Sequence, residues 1–495
     1  MLHTQPVTGS SLLKVLCSFM ATGILLFAGS RSTEAQTAET LWQVKKVYVE
    51  PFGQEEGSTK LRDRMIKQLS KSRRLEVVTS ATEADAIIKG NGSIWVAGYV
   101  SNDPRVPSNA RQPIFHGFLS VEVVGKDNEP MWSYLVTPSK FGSGAITQDL
   151  ADHLVTKLVG ALERKSEKVS ASHVTDSIRE MTLNGAGATF PAPLYQKWFE
   201  SFQQRHPNAH INYGAVGSEA GLRLLMDGKV DFAASDVPLS DERMSQSKTT
   251  FLHFASVLGA VVPIYNLQGP ERNLNFTAET LAGIYLGTIK KWNDPRIRES
   301  NRNVPLAESD IVVIHRSDGS GTTFVWTDYL SKVSPEWKAT VGAGTVAKWP
   351  VGVGAEGNEG VAAMVQQTPN SIGYVELVYA LRRQLSFGTM RNAAGQFVEA
   401  GLPSVTAAAE GVAGAMTSDF RVSITNAPGR DAYPIATFTW WLFPRELASG
   451  DKKSAFLELL QWVLTSGQKQ CSALGYAPLP REIANRELQL LDSLK

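Results

Sequence analysis

The stretch HRSDGSGTTFVW, residues 315–326, places small residues between a predicted strand and a predicted helix. Before it, the run DIVVIH is rich in β-branched residues, and after it TTFVWTDYLSKV repeats apolar residues at helical spacing. A strand that gives way to a helix in this way directs free backbone N–H groups, and the positive end of the helix dipole, into the space above the turn. Such a turn favours an anion as its ligand.

The same stretch has an ordinary structural interpretation, because Gly and Ser are common in loops and Ser or Thr is a common helix N-cap. Two other anion-handling motifs are excluded by spacing. The chain contains no Gly-x-x-x-x-Gly-Lys-Ser/Thr string of a nucleotide P-loop. A hydrolase nucleophile elbow needs Gly-x-Ser-x-Gly, but Asp318 and Thr322 stand at those positions around Ser320. Ser218 also lacks both glycines.

The composition is that of a globular protein: 495 residues, 43% hydrophobic and 20% charged, with room for about two to four domains. The formal net charge of +1 gives no electrostatic reason to expect binding to nucleic acid or to an anionic membrane surface. Any anion site must therefore be local. Two cysteines are too few for a Cys-based metal site, and the eight histidines show no His-x-x-x-His pairing. We expect no metal and no other cofactor.

Residues 1–35 have the parts of a secretory signal, with Lys14 before the apolar run VLCSFMATGILLFAG and small residues after it. Cleavage is expected after Ala35 or Ala38, and the protein is expected in the bacterial periplasm. An uncleaved membrane anchor is the alternative, but the apolar run is short for a spanning helix. Removal of the signal would leave Cys471 as one thiol, so stability would depend on the core rather than on a disulfide.

The pattern of apolar residues predicts that residues 41–165 form a small α+β domain of unknown role. We find no catalytic constellation in it. The predicted elements are strands at 44–52, 74–80 and 86–100, a hairpin of 118–125 and 131–139, and helices at 58–72 and 145–165. The charged, Ser-containing residues 166–181 suit an interdomain linker, although their composition also permits part of a helix.

From Leu183 onward strands and helices alternate, which predicts an α/β fold with mostly parallel strands. Ligands of such folds collect beyond the carboxyl ends of the strands, where helices begin. Three more strand-to-helix turns are therefore candidate ligand contacts: GAGATFPAP at 185–193, GAVGSEAG at 214–221 and GVGAEGNEG at 352–360.

Five motifs occur in a fixed order over the second part of the chain. They are GAGATFPAPLY (185–195), VDFAASDVPLS (230–240), IYLGTIKKWND (284–294), RSDGSGTTFVWTDYL (316–330) and SIGYVELVYA (371–380). In order and spacing they closely resemble the periplasmic phosphate-binding protein of the high-affinity bacterial phosphate ABC transporter. The resemblance covers about residues 182–495.

The resemblance implies a two-lobed, hinged periplasmic-binding-protein fold of the α/β class that closes on one dehydrated phosphate. Lobe one would comprise residues 182–264 and 432–495, and lobe two residues 265–431. The chain would cross between the lobes near VVPIYN (261–266) and YPIATF (433–438).

The resemblance also implies which residues bind phosphate from lobe one. Thr189 and Phe190 match the pair at the start of the first helix, with Phe190 donating through its backbone N–H. Ser218 matches the hydroxyl donor of the second turn, and Asp236 matches the carboxylate that accepts a hydrogen bond from the ligand. Taken singly, Ser218 could be only a helix cap, and Asp236 could only close a turn before Pro238.

On lobe two, the resemblance implies a cluster of donors at the turn quoted first. The matching residues are Arg316, Ser320, Gly321 and Thr322, with Asp318 as the acid that orients Arg316. Backbone and hydroxyl donors at a helix start suit a tetrahedral oxyanion, and Gly321 lets the backbone approach because it has no Cβ. Arg316 adds a forked and permanently charged donor. The alternative for Arg316 and Asp318 is a surface ion pair of little energetic value.

Asp236 gives the expected site its selectivity. A carboxylate repels an anion unless a proton lies between them, and near neutral pH phosphate carries such a proton whereas sulfate does not. An unpaired buried acceptor costs on the order of a few kcal/mol, which is enough for hundredfold discrimination or more.

Two positions depart from the family pattern. Glu219 follows Ser218 where a small residue is usual, and we expect its carboxylate to point outward to solvent. His315 precedes Arg316 where a second basic residue is often found, which reduces the positive field around the site.

The sequence thus predicts a protein without catalytic activity that binds inorganic phosphate and delivers it to the permease subunits of an ABC transporter. One alternative is a phosphate-responsive scaffold or sensor, in which residues 41–165 dock onto an envelope partner. Another is a phosphatase-like hydrolase on the same fold, which would need a nucleophile or a metal that the sequence does not offer convincingly.

Overall fold

The structure, a computed structural model, describes residues 41–100, 112–128, 130–136, 138, 143–163, 181–247, 249–267, 273–302, 304–412, 414, 420–445 and 451–494. The predicted signal of residues 1–35 lies outside the described residues, and so does the predicted linker except for residue 181. Across the ranges just given, none of the helices has the length and apolarity needed to cross a bilayer.

Residues 41–163 fold, in their described part, as an α+β domain around one five-stranded sheet. Its elements are β1 Lys46–Val49, α1 Glu56–Lys71, β2 Glu76–Val78, β3 Ala86–Val100, β4 Gln112–Gly125, β5 Pro130–Val136 and α2 Ser143–Glu163. The strand order is β2-β1-β3-β4-β5, with β1 parallel to both neighbours and β3, β4 and β5 antiparallel in turn. This confirms the predicted α+β class.

The helices of this domain follow from the spacing of their apolar residues. On α1, Leu61, Met65 and Leu69 recur every four residues and are fully buried. Together with α2 they cover an apolar sheet surface that includes Val47 and Leu119. The domain therefore has a hydrophobic core of its own.

The remainder of the chain is an α/β structure built on one large mixed sheet, together with a small three-stranded sheet. Its first elements are β6 Met181–Gly187, α3 Ala192–Arg205, β7 Ala209–Ala215, α4 Ser218–Met226, β8 Phe232–Ser235, α5 Asp241–Gln246, β9 Phe251–Asn266, β10 Asn275–Phe276, α6 Ala278–Tyr285, α7 Pro295–Ser300, β11 Val312–Arg316, α8 Gly321–Val333 and α9 Pro335–Thr340. The later elements are β12 Val353–Ala355, α10 Gly357–Gln367, β13 Ser371–Glu376, α11 Leu377–Arg382, β14 Ser386–Phe387, β15 Thr389–Arg391, β16 Phe397–Val398, α12 Leu402–Glu410, β17 Ala436–Pro444, α13 Asp451–Trp462, α14 Gln468–Cys471 and α15 Arg481–Asp492.

The strand β9 belongs to both halves of this sheet, whose order is β12-β11-β13-β9-β17-β8-β6-β7, with β14 also paired to β9. Residues 251–260 of β9 pair with β17, and residues 261–266 pair with β13. Parallel strands lie on either side: β6 with β7 and β8, and β11 with β12 and β13. The result is the two-lobed α/β fold that the sequence predicts.

The lobe boundaries and crossing points remain predictions, but β9 is the element that would carry one crossing. The second would lie beside it, because Val261 N–H donates to the Ile435 carbonyl at 2.8 Å and the Tyr433 hydroxyl donates to the Val261 carbonyl at 3.0 Å.

The α+β domain packs against the C-terminal part of the fold through β4 and β5. The Ser133 hydroxyl accepts from Ala473 N–H at 3.1 Å and donates to the Lys469 carbonyl, while the Ser120 hydroxyl donates to the Ala473 carbonyl. Leu135 of β5 packs against the large α/β core. Polar and apolar contacts therefore both hold this domain in place.

Candidate anion-binding site

Four segments that follow strands bring the predicted site residues together. Thr189 lies between β6 and α3, Ser218 begins α4, Asp236 follows β8, and residues 320–322 begin α8 after β11. A Cβ built on Gly321 would stand 2.6 Å from Asp236 Oδ2 and closer still to Ser218 Oγ. The backbone at Gly321 therefore approaches residues of the other predicted lobe as only glycine can.

The carboxyl of Asp236 is almost fully buried, with 2% of the residue exposed. Its Oδ1 accepts from the Thr439 hydroxyl at 2.6 Å, and the Asp236 N–H donates to Ser218 Oγ at 3.3 Å. Burial raises the pKa of Asp236 to about 7, against the opposing effects of the Thr439 hydrogen bond, the Arg316 charge and the Ser218 hydrogen bond. This carboxyl therefore titrates near neutral pH.

Ser218 is not the cap of a helix, and Asp236 does not close the turn before Pro238. The N-cap of α4 is Gly217, at φ +90°, and Ser218 is the first helical residue. The turn before Pro238 is closed by Ser235, whose Oγ accepts from Val237 N–H at 3.1 Å. The Ser218 and Asp236 side chains both lie beside the Gly321 backbone.

Arg316 and Asp318 form a buried fork. The Nε and Nη2 atoms of Arg316 donate to the two carboxylate oxygens of Asp318 at 2.7 and 2.5 Å, and the side chains are only 1% and 17% exposed. The pKa of Asp318 lies below its usual value: burial alone would raise it, but the hydrogen bonds and charge of Arg316 and the Gly357 N–H outweigh burial. The surface-pair alternative is therefore wrong.

The start of α8 presents hydroxyl and backbone donors beside Arg316. Ser320 caps the helix, with its Oγ accepting from Thr323 N–H at 3.0 Å. The first intrahelical bond runs from Phe324 N–H to the Ser320 carbonyl at 3.1 Å, so the N–H groups of Gly321 and Thr322 precede the helical ladder. Thr322 Oγ1 lies 3.4 Å from Arg316 Nη1.

Thr189 and Phe190 are held by hydrogen bonds that leave the Phe190 amide at the helix start. The Tyr379 hydroxyl donates to the Thr189 carbonyl at 2.6 Å, and the Tyr476 hydroxyl donates to the Phe190 carbonyl at 2.7 Å. The Phe190 ring lies against Gly259 of β9, where a Cβ would overlap it. Sterics and hydrogen bonds together fix this turn.

Glu219 and His315, the two departures from the family pattern, each contact a specific side chain. Glu219 does not simply face solvent as expected: it is 32% exposed and forms two hydrogen bonds of 3.0 Å with Arg243. Its charge is thus compensated by a partner on α5. His315 stacks on Trp349 with 4.8 Å between ring centroids, and burial lowers its pKa, which favours the uncharged ring.

Sequence reasoning missed three side chains that support these residues. Thr439 binds Asp236 from a strand 203 residues further along the chain. Tyr374 of β13 accepts from Arg316 N–H at 3.2 Å, and Asn358 of α10 contacts two predicted site residues. Two of them carried a signal, because Asn358 lies in the GVGAEGNEG turn and Tyr374 in the SIGYVELVYA motif, but neither role was predicted.

The described residues offer no cluster of three His, Cys, Asp or Glu side chains that could hold a metal ion. The site presents the Arg316 cation paired with the Asp318 carboxylate, several hydroxyls, helix-start amides and the buried Asp236 carboxyl. Such a set can enclose a small oxyanion that carries a proton.

The two halves of the sheet, the shared strand β9 and the facing helix starts define a solute-binding protein of the two-lobed periplasmic type. A family model described as "PBP superfamily domain" matches residues 166–466. A solved high-affinity periplasmic phosphate-binding protein with bound phosphate has the same fold, with a TM-score of 0.51 and 21% identity over 62% of this chain and 93% of that one.

Curated relatives narrow the class. The phosphate-binding protein PstS of Xylella fastidiosa is 41% identical over 312 residues, 63% of this chain and 85% of that protein. PstS of Pasteurella multocida is 41% identical over 62% of this chain and 88% of its own length. PstS of Haemophilus influenzae is 38% identical over 66% and 96%. The chain belongs to the PstS family of phosphate-binding proteins, within the PBP superfamily.

Proposed function

We propose that this protein binds one inorganic phosphate between its lobes in the periplasm and delivers it to the permease of an ABC transporter. The observation that carries the proposal is the buried Asp236 carboxyl, which lies against the Gly321 backbone of the opposite helix start and within the electrostatic influence of Arg316. Membership of the PstS family supports phosphate as the ligand.

The proposed lobe one comprises residues 182–264 and 432–495, and lobe two residues 265–431. In this proposal each lobe contributes donors to the phosphate oxygens. The donors are the hydroxyls of Thr189, Ser218, Ser320 and Thr322, the backbone N–H groups of Phe190, Gly321 and Thr322, and the Arg316 guanidinium. Asp318 orients Arg316 through the buried fork.

Asp236 accepts the phosphate proton in this proposal. Ionised Asp236 has only acceptor oxygens, so sulfate, which carries no proton near neutral pH, would meet it acceptor to acceptor in a buried site. Since Thr439 already occupies Oδ1, Oδ2 is the oxygen left for the ligand. The site thereby selects phosphate by its proton rather than by its size.

We also propose that the protein is not an enzyme. Phosphate-ester hydrolysis would need an activated nucleophile or a metal at the phosphorus. Ser320 Oγ accepts from Thr323 N–H, as a helix cap does, and within the described ranges no basic side chain is hydrogen-bonded to it. Metal-independent hydrolysis of a phosphate ester that is abolished by Ser320→Ala would contradict this part of the proposal.

For the α+β domain we propose an envelope partner, since the family model begins at residue 166 and leaves this domain outside the matched region. Fractionation of cells tests this. Recovery of the full chain with the envelope fraction would support a partner, whereas recovery in the soluble periplasmic fraction alone would contradict it.

Equilibrium dialysis of the full chain against radiolabelled phosphate tests the binding function. We expect one phosphate per chain, retained against an excess of unlabelled sulfate and displaced by unlabelled phosphate. Absence of bound label, or equal displacement by sulfate, would overturn the proposal.

A further inference from the structure

The GVGAEGNEG turn leads into α10, and its asparagine connects the two predicted lobes. Asn358 is fully buried, at 0% exposure. Its Nδ2 donates to Thr189 Oγ1 at 2.9 Å and to Thr322 Oγ1 at 3.1 Å, and its Oδ1 accepts from Glu376 N–H at 3.0 Å. One amide thus contacts a predicted phosphate ligand of each lobe and the end of β13.

The orientation of this amide is fixed by its surroundings. Asparagine presents a carbonyl oxygen and an NH₂ group, and either could face the threonines. The backbone N–H of Glu376 can only donate, so it requires the Asn358 carbonyl oxygen. The NH₂ group must then face Thr189 and Thr322.

The direction of these bonds determines what the two hydroxyls can do. A hydroxyl has one hydrogen to donate and two lone pairs to accept with. On Thr322, the lone pairs face Asn358 Nδ2 and, at 3.4 Å, Arg316 Nη1. Its hydrogen is therefore left for a further acceptor. On Thr189, Asn358 fills one lone pair, and its hydrogen is likewise free to point away from the amide.

We propose that Asn358 is a positioning residue that presents the hydroxyls of Thr189 and Thr322 as donors to the bound anion. The inference rests on the proposed function and deepens it. Asn358 does not touch phosphate in this proposal; it orients the Thr322 hydroxyl of its own lobe and, once the lobes meet, the Thr189 hydroxyl of the other lobe. The link through Glu376 connects this amide to the pairing of β13 with β9, since Glu376 pairs with Val261.

Two substitutions separate this role from simple packing. In Asn358→Asp the side chain keeps its shape but has only acceptor oxygens, so the threonine hydroxyls turn to donate to it and the anion loses both donors. We expect phosphate affinity to fall by about 100-fold or more. In Asn358→Leu the hydroxyls lose their orientation without being turned, and we expect a fall of about tenfold.

The matched control is Asn301→Leu. Asn301 is also buried, at 2% exposure, and its amide donates to the carbonyls of Asn275 and Ile297 and accepts from Asn275 N–H. We expect this variant to lower the melting temperature while the folded protein binds phosphate as the native chain does. Equal phosphate affinity of the native chain, Asn358→Asp and Asn358→Leu would overturn the inference.

Calorimetric titration in a second background decides whether Asn358 acts through the threonines. In a chain carrying Thr189→Val and Thr322→Val there are no hydroxyls to orient, so adding Asn358→Leu should change phosphate affinity by less than about twofold. If Asn358→Leu lowered phosphate affinity by a further tenfold in this double-valine chain, and the native chain bound phosphate, the inference would be overturned but the proposed function would stand. If the native chain itself bound no phosphate, the proposed function would fail, and the inference with it.

Discussion

The carboxyl of Asp236 couples the folding of the chain to pH. Burial raises its pKa from an ordinary value of 3.8 to about 7, so between these values the folded chain binds a proton that the unfolded chain does not. The sign follows from linkage: the contribution of this group to stability is fully present below about pH 4 and is lost as the pH rises through about 7.

Asp236→Asn should therefore stabilise the ligand-free protein at pH 8. Because one pKa unit corresponds to about 1.4 kcal/mol, the gain is on the order of 4 kcal/mol at pH 8 and falls towards zero near pH 4. Thermal melts of both proteins across this pH range measure it. A stability difference that does not shrink as the pH falls would contradict the assignment of the carboxyl as the titrating group.

Arg316→Lys should lower phosphate affinity by about 10- to 100-fold, because an ammonium cannot bond Asp318 with a fork and reach the ligand at the same time. Arg296→Lys is the matched control: Arg296 forms the same kind of fork with Asp294, at 3.0 and 2.9 Å, but is half exposed on α7. Calorimetry should show unchanged phosphate affinity for the control. Equal affinity of the native chain and Arg316→Lys would argue against a direct role of the guanidinium.

At the level of elements, the approach of α8 to the residues after β8 and at the start of α4 determines whether the site can close. A Cβ on Gly321 would stand 2.6 Å from Asp236 Oδ2 and 2.7 Å from Asp236 Cβ. Gly321→Ala should therefore hold the lobes apart and lower phosphate affinity by about 100-fold or more.

The control for this variant is Gly360→Ala on α10, where the added Cβ would meet Ala355 at an ordinary 3.7 Å. Its phosphate affinity should match the native value, and its stability should rise by about 0.5–1 kcal/mol, as expected for alanine in a helix. Small-angle scattering with and without phosphate measures closure. Normal compaction of Gly321→Ala on adding phosphate would contradict the steric argument.

The helices and strands were largely predictable because the spacing of apolar residues that indicates them is local in the sequence. Leu61, Met65 and Leu69 share one helix face, and the helix predicted at 58–72 is observed at Glu56–Lys71. The supporting contacts were not predictable in this way. Asn358 lies 169 residues from Thr189, and the Asp236 partner Thr439 lies on a buried strand whose pattern shows only burial. Such pairings depend on how the lobes pack.

On the scale of the whole molecule, the α+β domain is attached to the C-terminal part of the fold by buried polar contacts. In Ser133→Ala the Ala473 N–H and the Lys469 carbonyl lose their partner. We expect a loss of about 1–3 kcal/mol in the free energy of unfolding with unchanged phosphate affinity. Ser70→Ala, which removes an exposed hydroxyl that bonds only the Ile66 carbonyl of its own helix α1, is the control. A change in phosphate affinity in Ser133→Ala would mean that the domain acts on the site.

The departure from the family pattern at Glu219 shows which features of the folded chain its sequence did not predict. The family motifs predicted the two-lobed fold, but the Glu219 partner, Arg243, lies on a different helix and had no local signal. Charge compensation of this kind becomes visible only when the elements are assembled.

Calorimetric titration of the full chain with phosphate, and separately with sulfate, is the decisive test of whether Asp236 selects phosphate. At pH 8, above the pKa of the ligand-free Asp236 carboxyl, the carboxylate can accept the phosphate proton and repels sulfate. We predict tight binding of one phosphate and no response to sulfate. Equal affinity for the two anions, or binding of neither, would contradict it.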